Sequence, residues 1–349
     1  MERSIEAPAN WRGPQLAASG DWIHVFSAQE VGEVEAALHN ARATGRDLAT
    51  LSRNDFPLPN VGNVLAQALE KLEHGPGLHL LRGFPAERYG KDDLRLAYWG
   101  LGLHLGTAVS QSSNGDLLGD VRNLNVQLYG AKGRGYTSNE KLSYHTDFSD
   151  VVGLFVLRAA KSGGLSIIGS SIAIHNEIAR RWPDLLEIMY RPFPYSWQGQ
   201  EAPGERPWYE LPMFSVREGK FACTYVRSHI LSSQRFDDAP RLSPQQMEAM
   251  DLFDALAADP AFHLAMMFEP GDLQLVNNHV LYHSRTAFED YDEPDRRRHL
   301  LRLWLSVRNS RPLAPGLAPI YGEGRPGAVR GGFPSRTGSY VYETTESVA

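Results

Sequence analysis

Cysteine is nearly absent. Cys223 is the only one in 349 residues, so no intrachain disulfide can form and a zinc site built on cysteines is excluded. Long apolar runs are missing as well: no stretch of 18 or more residues is continuously hydrophobic, and the N-terminus, MERSIEAPANWRG, lacks the apolar centre of a secretion signal. These absences point to a cytoplasmic protein. No block of Lys and Arg stands out either: 35 basic residues face 41 acidic ones, a net charge of -6, and both signs are spread along the chain. Nucleic acid and anionic membrane are therefore poor partners. No internal repeat, low-complexity tract or long linker divides the first 308 residues.

What is present is enough apolar material, 42% of residues, to bury a sizeable core in one unit. Apolar residues recur at helical spacing over Val31–Arg42, Asn60–Glu73 and Asp92–Leu105, which predicts a helical N-terminal layer over about residues 1–120. Within it GLHLLRGFP, Gly77–Pro85, reads as a buried strand. From about 121 to 308 the pattern changes to short runs rich in branched and aromatic residues: NLNVQLY, SDVVGLFVLRA, LSIIGS, MFSVREGKFACTYV, DLQLVNN and RHLLRLWLSV. Such runs, broken by Gly, Asn and Asp, predict sheets packed as a sandwich or jelly roll, with a hairpin at Val216–Lys220. Two helices interrupt them. One runs from Ser171, its expected cap, through Trp182 and on past Pro183 to Met189; the other is Ser243–Ala258, opened by a capping box. After residue 308 the chain turns Pro- and Gly-rich; this tail is expected to lie on the surface, over the site entrance or in an oligomer contact.

Chemistry concentrates in three segments. In LSYHTDFSD, His145 and Asp147 are two apart, so in an extended chain an imidazole and a carboxylate face the same side. In PGDLQLVNNHVLYHSRTAFED a Pro-Gly-Asp turn leads through an apolar strand to His279 and His283, either of which offers a second imidazole. Two histidines and one carboxylate on one face of a metal leave three positions open, the arrangement used by non-heme iron(II) for oxygen chemistry. In RRRHLLRLWLS, Arg298 and Arg302 are four apart and share a face of a strand. A guanidinium turned into a barrel needs an anionic partner, and a dicarboxylate supplies one.

Taken in order, these segments resemble the taurine and 2,4-dichlorophenoxyacetate dioxygenase family of iron(II)- and 2-oxoglutarate-dependent oxygenases, over roughly residues 77 to 306. HTD at His145–Asp147 is similar to the family's His-x-Asp. SGGLSIIGSSIAIHNEI, from Ser162, resembles its Gly-Gly-x-Thr strand and following helix, and NNHVLYHSRTAF with RRHLLR resembles its distal-histidine loop and arginine strand. The resemblance implies an α+β fold with a double-stranded β-helix, or jelly-roll, core and flanking helices. It implies Fe(II), 2-oxoglutarate and O2 as cofactor and co-substrates, a metal held by His145, Asp147 and His283, and 2-oxoglutarate held by Arg298 and the hydroxyl of Ser166, where the family has threonine. The implied reaction couples decarboxylation of 2-oxoglutarate to succinate with hydroxylation, desaturation or cyclisation of a small substrate. Asp147 argues against halogenation, which needs that ligand position vacated.

Arg302 resembles the position at which some members hold an acidic group of the substrate, which points to a small carboxylate, amino acid or sulfonate; equally, it supports 2-oxoglutarate or a neighbouring Asp. Asn125, Gln127 and Tyr129, alternating along NLNVQLY, and Arg227 in TYVRSHI are candidate pocket residues, and Trp197–Pro212 reads as a lid or a long connection. Two other classes stay open: a cupin-like dioxygenase that binds substrate directly on the metal, and a non-catalytic metal- or ligand-binding barrel. Homo-oligomerisation is compatible with the sequence.

Overall fold

The computed structural model describes residues 4–124 and 138–343. Its framework is a seven-stranded sheet in which Ile23–Val25, Leu78–Arg82, Leu273–Asn277, Val151–Arg158, His299–Ser306 and Thr107–Val109 lie side by side, with Leu118–Val121 also paired to His299–Ser306. Every pairing is antiparallel except that of Ile23–Val25 with Leu78–Arg82. A smaller sheet joins His263–Met266, Ser166–Ser170 and Leu281–Arg285, and two hairpins stand beside it.

Both faces of the large sheet are covered, and alternation along each strand decides which residue faces which cover. Val151, Phe155, Leu157, Leu273, Leu275, Leu301, Leu303 and Leu305 pack against helices Ala28–Ala43, Val61–His74 and Lys91–Leu105. Val152, Val156, Val276, Leu300 and Trp304 join the other core, with Ile167, Ile168, Leu281 and Tyr282 of the small sheet. This explains why RHLLRLWLS is apolar almost throughout: a central strand buried on both faces leaves little room for charge.

Helix ends follow their sequence signals closely. Ser27 and Glu30 form a capping box at Ala28–Ala43, and Ser243 with Gln246 does the same at Pro244–Ala258. The expected cap at Ser171 falls one residue late: Ser170 is the N-cap of Ser171–Arg181 and accepts a hydrogen bond from the Ala173 amide. The expected hairpin is present, and Glu218 and Gly219, both at positive φ, make its two-residue turn.

Three expectations need correction. The N-terminal layer holds more strand than expected: besides the anticipated one at Leu78–Arg82, three further short strands from the first 121 residues enter the large sheet. The strand-like run MFSVREGKFACTYV stops short of its expected end: the strand closes at Cys223, and Arg227–Ser233 is a short helix. The segment 197–212 is not wholly a loop, since Trp208–Pro212 is the return strand of a hairpin with Pro192–Ser196. The tail packs on the core, with Leu313, Leu317, Ile320, Tyr321, Arg330 and Phe333 buried.

Candidate metal and keto-acid site

His145 and His283 face each other across an isolated antiparallel bridge. The His145 amide donates to the His283 carbonyl at 3.0 Å, and the His283 amide returns a bond at 2.8 Å. Directly opposed residues of such a pair project to the same side, so the two rings meet with centroids 4.3 Å apart. Asp147, two residues on, places its carboxylate between them: Oδ1 is 3.9 Å from His145 Nε2 and Oδ2 is 3.7 Å from His283 Nε2. Two donors each about 2.1 Å from one ion stand at most about 4.2 Å apart. Both carboxylate–imidazole separations fall inside that span, and the ligand atoms of all three residues lie within 4.8 Å of one another, close enough to gather on a single ion.

The surroundings keep these donors in the form a metal needs. His145 Nδ1 lies 2.8 Å from the Ser143 carbonyl, which fixes the proton there and leaves the Nε2 lone pair toward the site. Burial pushes His283 down to about 3, helped by neighbouring His145 and Arg302 and opposed by Asp147, so its imidazole is neutral. For Asp147 burial alone would raise the pKa. Arg302, His283, His145 and the Trp304 N–H outweigh it, and the group stays below the usual carboxylate range. The Asn278 side-chain oxygen accepts from the Asp147 amide at 3.1 Å and so anchors the backbone of the loop.

The strand His299–Ser306 supplies the second half of the site from its inward face. The Trp304 indole N–H donates to Asp147 Oδ2 at 2.9 Å, and Arg302 Nη1 stands 3.8 Å from the same oxygen. Arg302 also donates from Nε to Gln111 Oε1 at 2.7 Å, while the Gln111 amide donates back to the Arg302 carbonyl at 2.9 Å.

Arg298, at the entry of this strand, is 4% exposed, and its Nη1 has no hydrogen-bond partner among the described residues. Burial and nearby Arg285 push it down to about 9, against the pull of Asp290. A buried guanidinium left this way calls for an anion. Arg297, by contrast, donates to the carbonyls of Tyr291 and Asp292 and serves the turn. Ser166 is buried on the small sheet with its hydroxyl on Gln274 Oε1 at 3.1 Å. The Gly163–Gly164 turn before it has both residues at positive φ, and a Cβ on Gly163 would sit 2.3 Å from the Ala287 carbonyl oxygen. That close approach explains the Gly-Gly pair.

Other candidates fall elsewhere. His279 Nε2 lies 2.9 Å from Asp150 Oδ1, away from the three donors, because residues 278–280 form a turn that breaks the strand alternation between His279 and His283. Arg227 does not reach the donors: its guanidinium is held by Asp254 at 2.9 Å and Asp251 at 2.6 Å, on the neighbouring helix. Asn125, Gln127 and Tyr129 lie outside the described residues. His79 is buried and pushed down to about 4, His104 bonds the Phe56 carbonyl, and His175 bonds Tyr190.

Sequence reasoning missed Trp304, Gln111 and the tail. Period-two alternation from Arg302 would have put Trp304 on the site face. Nothing local marks Gln111, or Phe333, whose ring meets those of Trp304 and Phe148 at 5.9 Å each. Arg330 is equally unmarked; from the tail it donates to Asp150 Oδ1 at 2.9 Å.

Comparison with known proteins gives a consistent picture. The family model described as taurine catabolism dioxygenase TauD, TfdA family matches residues 44–304. FR-33289 synthase of Streptomyces rubellomurinus is 33% identical over 325 residues, covering 91% of this chain and 95% of the relative. Among solved structures, asparagine oxygenase aligns with a TM-score of 0.60 at 18% identity, covering 90% of this chain and 99% of that one. The non-heme iron oxygenase OrfP in complex with Fe and alpha-ketoglutaric acid gives 0.60 at 15% identity, covering 81% and 93%. Both structural likenesses concern the fold.

Proposed function

Since the chain belongs to the TauD/TfdA family, and is accordingly an Fe(II)- and 2-oxoglutarate-dependent oxygenase, we propose that His145, Asp147 and His283 hold its iron and that Arg298 and Ser166 hold the distal carboxylate of 2-oxoglutarate. The observation that carries this reading is a three-donor cluster together with a buried arginine whose Nη1 has no hydrogen-bond partner among the described residues. When bound, the metal and keto acid supply oxygen activation with decarboxylation to succinate. The protein's own residues do the positioning. Trp304 holds Oδ2 of Asp147 by its indole N–H, which would orient the carboxylate and favour ligation through Oδ1. The Asp147 carboxylate and the neutral His283 imidazole set the site's charge, and the flanking aromatic wall of Trp304, Phe148 and Phe333 keeps water from the reacting centre. The two sheets are read as the halves of a double-stranded β-helix, with the site at the end where Ser166–Ser170 and Leu281–Arg285 approach His299–Ser306.

The substrate is proposed to be a small amino-acid-like or anionic molecule, with Arg302 as the group that meets its acid. Support comes from the position of Arg302 beside Asp147, and from structural neighbours whose descriptions name 3-hydroxyasparagine and (3S)-hydroxy-L-Arg as bound molecules. The test adds Fe(II) to the metal-free protein without oxygen and titrates 2-oxoglutarate, following the visible charge-transfer band of keto-acid chelation. A band that is lost in Asp147→Ala and weakened in Arg298→Gln supports the assignment; bound iron with no band overturns it.

A further inference from the structure

Arg285 has not entered the account so far, yet it is as deeply buried as Arg298, at 5% exposure. It lies two residues beyond His283 on the same strand and directly opposite Ser166 in the small sheet. Strand alternation and pairing therefore put its side chain on the face that carries both. Part of its guanidinium is accounted for: Nη2 donates to the carbonyls of Ser138, at 2.8 Å, and Glu140, and Nε to that of Thr286 at 3.3 Å. Nη1 is buried without a partner among the described residues, as is Nη1 of Arg298.

The two arginines share an environment. Both guanidinia lie over the Phe288 ring, 4.6 Å from its centroid for Arg285 and 5.0 Å for Arg298. Burial pushes Arg285 down to about 10, and each group's cationic form is favoured by the same carboxylate, Asp290. Asp290 does not bond either guanidinium: its Oδ1 accepts the Arg298 amide at 2.8 Å, and its Oδ2 is buried without a partner among the described residues. Two buried cations against one carboxylate leave one positive charge in the interior, and two Nη1 amino groups without acceptors among the described residues.

We propose that Arg285 is a second guanidinium on the distal carboxylate of 2-oxoglutarate, so that Arg285 and Arg298 grip it together; this rests on the keto-acid reading above. One carboxylate matches the excess charge and offers enough lone pairs to accept from both arginines and from Ser166. Because Arg285 also holds the carbonyls of Ser138 and Glu140, it connects the co-substrate to the segment that leads into His145.

The test compares 2-oxoglutarate with 2-oxovalerate, which has the same keto-acid head and no distal carboxylate. Dissociation constants are read from the anaerobic Fe(II) charge-transfer band in the wild type, Arg285→Gln, Arg285→Lys and Arg298→Gln. The expected result is that Arg285→Gln weakens 2-oxoglutarate by roughly tenfold or more while leaving 2-oxovalerate unchanged, with part of the loss recovered in Arg285→Lys. Equal weakening of both acids, or of neither, would mean that Arg285 only pins the 138–140 carbonyls, and would overturn the proposal. Should Arg285→Gln fail to fold, the ratio of the two constants in Arg285→Lys decides: an unchanged ratio overturns the proposal, and a narrowed one supports it. Failure of the keto-acid reading looks different, since the wild type would then show no preference for 2-oxoglutarate and Arg298→Gln would be silent.

Discussion

The two faces of strand His299–Ser306 are made from alternating residues of one octapeptide, and they do different work. Toward the helices it presents Leu301, Leu303 and Leu305, packed among other aliphatic and aromatic side chains. Toward the small sheet it presents Leu300, Arg302 and Trp304, the last two in contact with a metal-ligand candidate. One face lowers the free energy of the fold by removing apolar surface from water, with each fully buried leucine contributing about 1.5–3 kcal/mol. The other holds charge and N–H groups that are tolerated only because they are paired or await an anion. The difference teaches that a strand at the middle of a sheet can separate stability from chemistry at a spacing of one residue.

Substitutions on each face should break that separation differently. The largest effect is expected from Asp147→Ala, which removes the carboxylate donor: iron binding and turnover are lost together, as metal analysis and succinate release would record. If the variant kept stoichiometric iron, the donor assignment would be wrong. Leu301→Ala, one residue away from Leu300 and Arg302 but on the helix face, should destabilise the fold by about 2–5 kcal/mol in denaturant unfolding. The iron stoichiometry of the folded fraction should not change; a parallel loss of metal affinity would show that the faces are coupled.

Smaller and more discriminating is Trp304→Phe, which keeps an aromatic ring in the wall and removes the N–H to Asp147. Loss of such an outer hydrogen bond should lower iron affinity by roughly 10–100-fold with little change in unfolding midpoint. An unaltered affinity would reduce Trp304 to packing. The smallest effect concerns pH and His79, which by alternation shares the helix face with Leu81. Burial, with lesser contributions from Lys71 and His24, holds its pKa at about 4, below the unfolded 6.5. Between those values the unfolded chain binds the extra proton, so stability falls as pH drops through this window, by at most about 1.4 kcal/mol per unit from this residue. Unfolding curves of His79→Gln should show a shallower loss from pH 6.5 to 4 than the wild type; identical slopes would place the titration elsewhere.

Much of the fold could be read locally, because its signals are local. The capping box at Ser243 and Gln246 and the Glu218-Gly219 turn involve residues only a few positions apart. The candidate donors were also visible, since His145 and Asp147 sit two apart and a segment with His283 offers the missing imidazole. Arg227 misled for the opposite reason. An arginine after a strand-like run reads as pocket-facing until Asp251 and Asp254, on a helix more than twenty residues later, are seen to hold it.

The sequence by itself determined the kinds of groups present: two imidazoles and a carboxylate able to share an ion, arginines confined to an apolar strand, and an alternation that buries that strand on both sides. Only the tertiary structure decided which of them meet. The turn at residues 278–280 sends His279 to Asp150 and leaves His283 opposite His145. The pairing of Leu281–Arg285 with Ser166–Ser170 brings Arg285 across from Ser166, and the tail carries Arg330 and Phe333 back against residues almost two hundred positions earlier. Contacts of that range depend on strand register and chain return, which are fixed by the whole set of buried pairs and not by any local run of residues.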